Sequence, residues 1–378
     1  MAILHEPLSR SAFALAEGLV YLNHAAAGPL PRSTLDVLKG VLDAHAAEGV
    51  LGVAPIEGNL PQYRDRVGRF IGARADEIAF LRNTADGANV IARGLDWRPG
   101  DELVLCDNEF GSNAYPWLAL RDEGVNVRLV HSPSERLTPD VLARHLTPRT
   151  RVVSVSWVSF ADGYRHDLKR LADVAHDAGA ILCVDAIQGL GVFPLDVKAS
   201  GIDALYAGAA KWLLGLQGVS LLYIERALQE RIAARWRGWR DVADMWDFLD
   251  YRQPLAPNAS KYEGGTLNYL GIASLAASLD VLEAAQIKRI GRHVVALTDR
   301  LVERLRALGA EIDSERGPDV SSGIVTFRLP GADSVALGRK LRASDIVTTY
   351  RPSGIRVSPH GYNTESEIDE LTNALCAS

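Results

Sequence analysis

The sequence predicts an α/β protein: a mostly parallel sheet sandwiched by helices, followed by a smaller α+β domain at the C-terminus. Three observations carry this. Short apolar runs, such as Ile78-Ala79-Phe80-Leu81, Leu103-Val104-Leu105-Cys106 and Ala180-Ile181-Leu182-Cys183-Val184, alternate with amphipathic stretches of helical length. Polar, small-residue turns follow those runs, where open parallel sheets bind their ligands. The stretch 251–260 carries two prolines and interrupts the rhythm before two long helical patterns over 271–308. The expected division is an N-terminal segment 1–19 packing with the small domain, a large domain 20–257 and a small domain 258–378.

The elements follow in order. A short helix is expected over 8–18, then helices over 33–48 and 61–73, the latter ending in Gly72. Strands are expected at 78–81, 103–106, 126–130, 152–156, 180–184 and 204–206, with helices from 83 through Arg93, over 138–146 and over 166–179. Residues 218–223 read as an edge strand of the main sheet and 225–235 as a basic helix. Beyond the linker come a strand at 322–329 and a helix at 334–343.

Composition excludes several function classes. The 378 residues are 47% hydrophobic and 23% charged, which supports a large core and argues against disorder. The net charge of −6 and the lack of a basic block exclude nucleic acid and an anionic membrane surface as partners. No run approaches membrane-spanning length. Cys106, Cys183 and Cys376 show no metal-ligand spacing and, being odd in number, no disulfide framework. The N-terminal stretch carries Glu6, Arg10 and Glu17, so it does not read as a signal peptide, and a cytoplasmic location is expected.

The chemistry lies in residues 180–216. Asp185 ends an apolar strand, where a carboxylate is costly unless it meets a cation or a donor. Lys211 sits among Gly208, Ala209, Ala210, Trp212 and Leu213, a setting that desolvates an amine and lowers its proton affinity. Pyridoxal 5'-phosphate (PLP) calls for both: an acid against its ring nitrogen and a lysine to form a Schiff base with its aldehyde. Asn83-Thr84-Ala85, between a strand and a helix start, offers free N–H groups to a phosphate.

The runs Val184-Asp185-Ala186-Ile187-Gln188 and Ala207-Gly208-Ala209-Ala210-Lys211-Trp212 resemble the class V aminotransferase family of fold-type I PLP enzymes, which includes cysteine desulfurases, kynureninases and isopenicillin-N-epimerase-like proteins. The resemblance runs from Tyr21 to the C-terminal region. It implies Lys211 and Asp185 as catalytic residues, Thr84 and Ala85 at the phosphate, Phe110 over the ring, and Ser159 and Gln188 at the ring's 3-oxygen. Ser159 stands where many relatives have Asn. Gly208 and Ala210 stand where relatives often have Ser and His, which shifts phosphate binding onto Thr84 and Thr266. The turn Gly264-Gly265-Thr266-Leu267-Asn268 resembles one that crosses the dimer interface, implying a homodimer with shared active sites. Asn23 and His24 in the entry loop, and Arg356 in Arg356-Val357-Ser358, are implied substrate contacts, the guanidinium taking an α-carboxylate. Trp236, Trp239 and Trp246 wall the pocket or a subunit contact.

The expected function is a PLP-dependent enzyme acting on an amino acid or related amine, of aminotransferase type. A C–S or β-eliminating lyase or an epimerase is the alternative, and an inactive PLP-fold binding protein is the weakest reading. A desulfurase using its own persulfide carrier is disfavoured because residues 330–355 contain no cysteine.

Overall fold

The computed structural model describes residues 6–132 and 136–376. The first strand, β1 (Val20–Tyr21), precedes three helices, α1 (Arg32–Glu48), α2 (Val50–Gly58) and α3 (Leu60–Ile71). An alternating region follows: β2 (Ile78–Leu81), α4 (Thr84–Gly94), β3 (Glu102–Cys106), α5 (Gly111–Leu118), β4 (Asn126–Val130), α6 (Pro139–His145), β5 (Thr150–Ser156), α7 (Leu168–Asp177), β6 (Ile181–Asp185), β7 (Ala204–Gly208) and β8 (Ser220–Ile224). The rest comprises α8 (Tyr269–Ala284), α9 (Ile287–Ala307), β9 (Glu311–Ile312), β10 (Val325–Arg328), α10 (Ser334–Ala343), β11 (Ile346–Val347), β12 (Thr349–Arg351), β13 (Gly354–Val357) and α11 (Glu365–Cys376).

The main sheet has the order β2-β8-β7-β6-β5-β3-β4. Strand β8 alone runs against its neighbours; the others share one direction, so their C-terminal ends gather on one rim. β6 lies fourth of seven and every residue in it is buried on both faces, which is why it reads as an unbroken apolar run. The small sheet, β12-β13-β10-β9, is antiparallel, and β1 pairs with β11 in parallel.

The α/β architecture and the smaller C-terminal sheet are as expected; three local expectations are not. β8 is not an edge strand but lies between β2 and β7. The helix over 8–18 shrinks to one 3-10 turn at Arg10–Ala12. The basic helix over 225–235 is a single turn at Leu228–Glu230, because tertiary partners take its polar groups: Ala233 N–H donates to the Gly94 carbonyl (2.8 Å) and Arg226 N–H to Glu77 (3.2 Å). Beyond the 251–260 stretch the helices serve two different cores. Ile272, Leu275 and Leu279 of α8 belong to the large core, whereas Leu297, Leu301 and Leu305 of α9 join Val20, Leu22, Val325 and Val357 beneath the small sheet.

Candidate active site

The sheet rim positions the chemistry. Asp185 ends β6, flanked in register by Ser156 of β5 and Tyr206 of β7. It is 2% exposed, and its Oδ1 accepts the Ile187 N–H at 2.9 Å. Burial pushes its carboxyl up to about 7, assisted by the Glu109 charge and opposed by the Ile187 N–H and Lys211.

Lys211 follows β7 in a turn closed by bonds from Leu214 N–H to the Lys211 carbonyl (3.2 Å) and from Gly215 N–H to the Ala209 carbonyl (2.9 Å). The entry loop braces it: Gly28 N–H donates to the Ala210 carbonyl at 2.8 Å. A Cβ at residue 28 would come within 2.3 Å of the Lys211 carbonyl, so glycine is required for that approach. Burial pulls the amine down to about 8, with the Arg356 charge adding and Asp185 opposing. Among the described residues the amine makes no hydrogen bond or ion pair; it lies 5.6 Å from the centroid of the half-exposed Phe110 ring.

Arg356, on β13, is 8% exposed. One terminal nitrogen donates to the Phe160 carbonyl (2.9 Å) and the other to the Thr349 hydroxyl (3.4 Å), while the buried Nε has no partner among the described residues. Burial, with help from Arg351, pulls the guanidinium down to about 10. Among the described residues no carboxylate pairs with it, which leaves an arginine fork equipped to take one from a ligand. Asn23 joins this corner by accepting from the Thr349 hydroxyl at 2.7 Å.

Thr84 and Ala85 open α4, capped by Asn83 through Asp86 N–H at 2.9 Å. First-turn N–H groups have no acceptor within the helix, so these two face outward as anion donors. Gly87 lets α4 lie directly on β7: a Cβ there would be 2.5 Å from Tyr206 Cβ. A Cβ at Gly208 would sit 3.5 Å from Thr84 Oγ1, which puts the end of β7 beside the start of α4.

The remaining expected residues divide. Gln188 is buried and already employed, donating to the Ala25 carbonyl (3.0 Å) and accepting from Trp212 Nε1 (2.7 Å); one N–H remains for another acceptor. The Ser159 hydroxyl accepts from Ala161 N–H at 3.3 Å. His24 does not line the site. It is fully buried, and both ring nitrogens are engaged, Nδ1 with the Ser358 carbonyl (3.0 Å) and Nε2 with the Tyr362 hydroxyl (3.0 Å). Thr266 is exposed and borders a separate cavity of about 670 Å³ with Arg82, Asp86 and Trp236. Trp239 and Trp246 pack with Phe248 on the surface, ring centroids 5.8–6.1 Å apart, with no hydrogen bond or ring contact to Lys211, Asp185 or Arg356.

Two participants escaped the sequence reading. Thr349 links Asn23 to Arg356, and Glu109 receives three hydrogen bonds beside Asp185. Glu109 directly precedes Phe110, and that adjacency was the available signal; Thr349 had none. Among the described residues no cluster of His, Cys, Asp and Glu could hold a metal ion.

The residues fit PLP. A buried acid stands ready for the ring nitrogen, a desolvated amine for the aldehyde, an exposed aromatic face for the ring and helix N–H groups for the phosphate. Comparison with known proteins agrees. The model for the aminotransferase class-V family matches residues 20–371. A protein named probable cysteine desulfurase from Methanothermobacter thermautotrophicus is 30% identical, with 94% of each chain covered. The apo structure of a cysteine desulfurase from Thermococcus onnurineus superposes with a TM-score of 0.89 at 26% identity, covering 99% of this chain and 98% of the other. A variant of C-DES, solved with glycine covalently linked to its PLP cofactor, gives 0.90 at 23% identity over 97% and 98%, a likeness of fold. The chain belongs to the aminotransferase class-V family of PLP-dependent enzymes.

Proposed function

We propose that the protein is a PLP-dependent lyase that breaks the C–S bond of a cysteine-type amino acid by direct elimination, without carrying sulfur on a cysteine of its own. The desulfurase names among its relatives favour this alternative over the aminotransferase reading. The observation that carries the direct route is the placement of the thiols. Cys106 and Cys183 lie inside β3 and β6, where burial pushes both well up, and a thiol is a poor nucleophile in that form. Cys376 ends α11, which packs on α9. Residues 330–355 hold no cysteine.

PLP, held here by Lys211, Asp185 and the start of α4, would supply the electron withdrawal that acidifies the Cα–H of a bound amino substrate. The chain's own residues do the rest. Arg356 takes the α-carboxylate through Nε and a terminal nitrogen, with Asn23 and Thr349 fixing its plane. Asp185 holds a proton at the ring nitrogen. The released Lys211 amine, with its affinity lowered toward neutrality, takes the Cα proton as the bond to sulfur breaks. One cysteine and one water give one pyruvate, one ammonia and one hydrogen sulfide, with no outside oxidant or reductant. The test is product analysis with L-cysteine. Equimolar pyruvate and sulfide are expected. Alanine with sulfane sulfur left on the protein overturns the direct route, and accumulation of the pyridoxamine form restores the aminotransferase reading.

The same reading makes the enzyme a homodimer in which Thr266 reaches the partner's phosphate. Its exposure on a turn, lining the same cavity as the exposed Trp236, supports this. Sedimentation equilibrium should give twice the chain mass; a fully active monomer overturns it.

A further inference from the structure

The turn between β3 and α5 carries Glu109 immediately before Phe110. Glu109 turns its carboxylate inward. Oε1 accepts the Ser156 N–H at 2.7 Å, and Oε2 accepts the Ser156 hydroxyl at 2.5 Å and Asn113 Nδ2 at 2.9 Å. Asn113 is fully buried, and its Oδ1 accepts in turn from Tyr206 OH (2.5 Å), the Ser154 hydroxyl (3.0 Å) and Trp117 Nε1 (3.3 Å). Ser156 and Tyr206 are the two register partners of Asp185. The line Ser156–Glu109–Asn113–Tyr206 therefore ties together the strands on both sides of the ring-nitrogen acid.

Burial raises the proton affinity of Glu109 and three donors oppose that rise, yet no Lys, Arg or His pairs with it among the described residues. A neutral acceptor would satisfy the same donors at lower cost, because desolvating an unpaired carboxylate is expensive. The charge raises the proton affinity of the neighbouring Asp185 carboxyl, as it does that of the buried Cys106 thiol, and of the two only Asp185 stands where the cofactor ring would lie.

We propose that Glu109 is a positioning residue of the cofactor site: its uncompensated charge favours a proton shared between Asp185 and the ring nitrogen, while its bonds to β5 fix the turn that presents Phe110. Electrostatics and geometry then come from one side chain.

The test compares the affinity of the apoprotein for PLP with that for 1-deaza-PLP, whose ring has C–H in place of nitrogen. Glu109→Gln keeps size and much of the hydrogen bonding but removes the charge. Affinity for PLP should fall about tenfold, while affinity for the deaza ligand should hold within about twofold. Equal weakening of both ligands reduces Glu109 to a structural part, and unchanged PLP affinity removes it from the site; either result overturns the proposal. Should Glu109→Gln not fold, Glu109→Asp and Glu109→Asn share a shortened geometry and differ only in charge. The Asp variant should keep the wild-type preference for PLP over the deaza ligand and the Asn variant should lose it; equal preferences in the two overturn the proposal.

Discussion

Two buried polar clusters flank the Lys211–Trp212 turn. One holds Asp185, Lys211 and Arg356; the other holds His24, His360 and Tyr362. Both contain strongly shifted groups: burial pulls His360 down to about 4 and His24 well below its usual range. In the histidine cluster the valences are closed. The Ser358 and Trp212 carbonyls only accept, so His24 Nδ1 and His360 Nε2 carry their protons, and the other nitrogens accept from Tyr362 OH and Gly361 N–H. In the first cluster the Lys211 amine has no hydrogen-bonding partner among the described residues, and Arg356 Nε has none. A perturbed proton affinity is common to packing and to chemistry. An unmet donor or acceptor in a cleft is what separates them.

Four measurements break or sharpen this contrast. Lys211→Ala should lower kcat by at least about 10³-fold with an unchanged far-UV circular dichroism spectrum, because it removes both the cofactor's anchor and the proton carrier. Arg356→Met should lower kcat/KM by about 10²-fold, mostly through KM, since a charge-assisted fork to the substrate is lost. His24→Phe should reverse that pattern. The Tyr362 hydroxyl loses its partner and the Ser358 carbonyl keeps only the backbone N–H of residue 24, which costs about 1–3 kcal/mol in urea unfolding, with kcat per folded molecule unchanged. A kcat loss without a stability loss would place His24 in the working cluster after all.

The smallest effect is in pH. Without cofactor, Asp185 has an affinity raised from 3.8 to about 7, so the stability it contributes is present below pH 4 and is lost as pH rises to about 7. The Lys211 affinity, lowered from 10.5 to about 8, imposes a penalty below pH 8 that lifts as pH rises toward 10.5. The buried histidines act oppositely to Asp185, losing stability as pH falls below 6.5. Subtracting the profile of Asp185→Asn from that of wild type should leave a curve falling from pH 4 to 7; subtracting that of His24→Phe should leave one rising toward pH 6.5.

The sheet was legible because its strands are short, apolar and separated by helix-length amphipathic runs. Asp185 and Lys211 were legible for a related reason: a charge inside an apolar run stands out in one dimension. Arg356 needed family likeness, and what sets it apart in the structure, the orphaned Nε and the bond to the Phe160 carbonyl, spans residues far apart in the chain. The burial of His24 was not legible, because its neighbours in sequence are small and loop-like, while the groups that bury it, Trp212, Ser358, His360 and Tyr362, come from distant segments. The segment 225–235 has a helical composition, but Glu77 and Gly94 claim its backbone.

The reversed strand β8 has a consequence for biosynthesis. β2 lies at the sheet's edge with β8 as its neighbour. β2 ends at Leu81 and β8 begins at Ser220, so about 140 residues must be polymerised before the pair can close. At about 5–20 residues per second a ribosome needs roughly 7–30 seconds for that length. During that interval the nascent chain carries Thr84 and the first turn of α4 behind an unpaired apolar strand, and this corner of the main sheet is among the last to close.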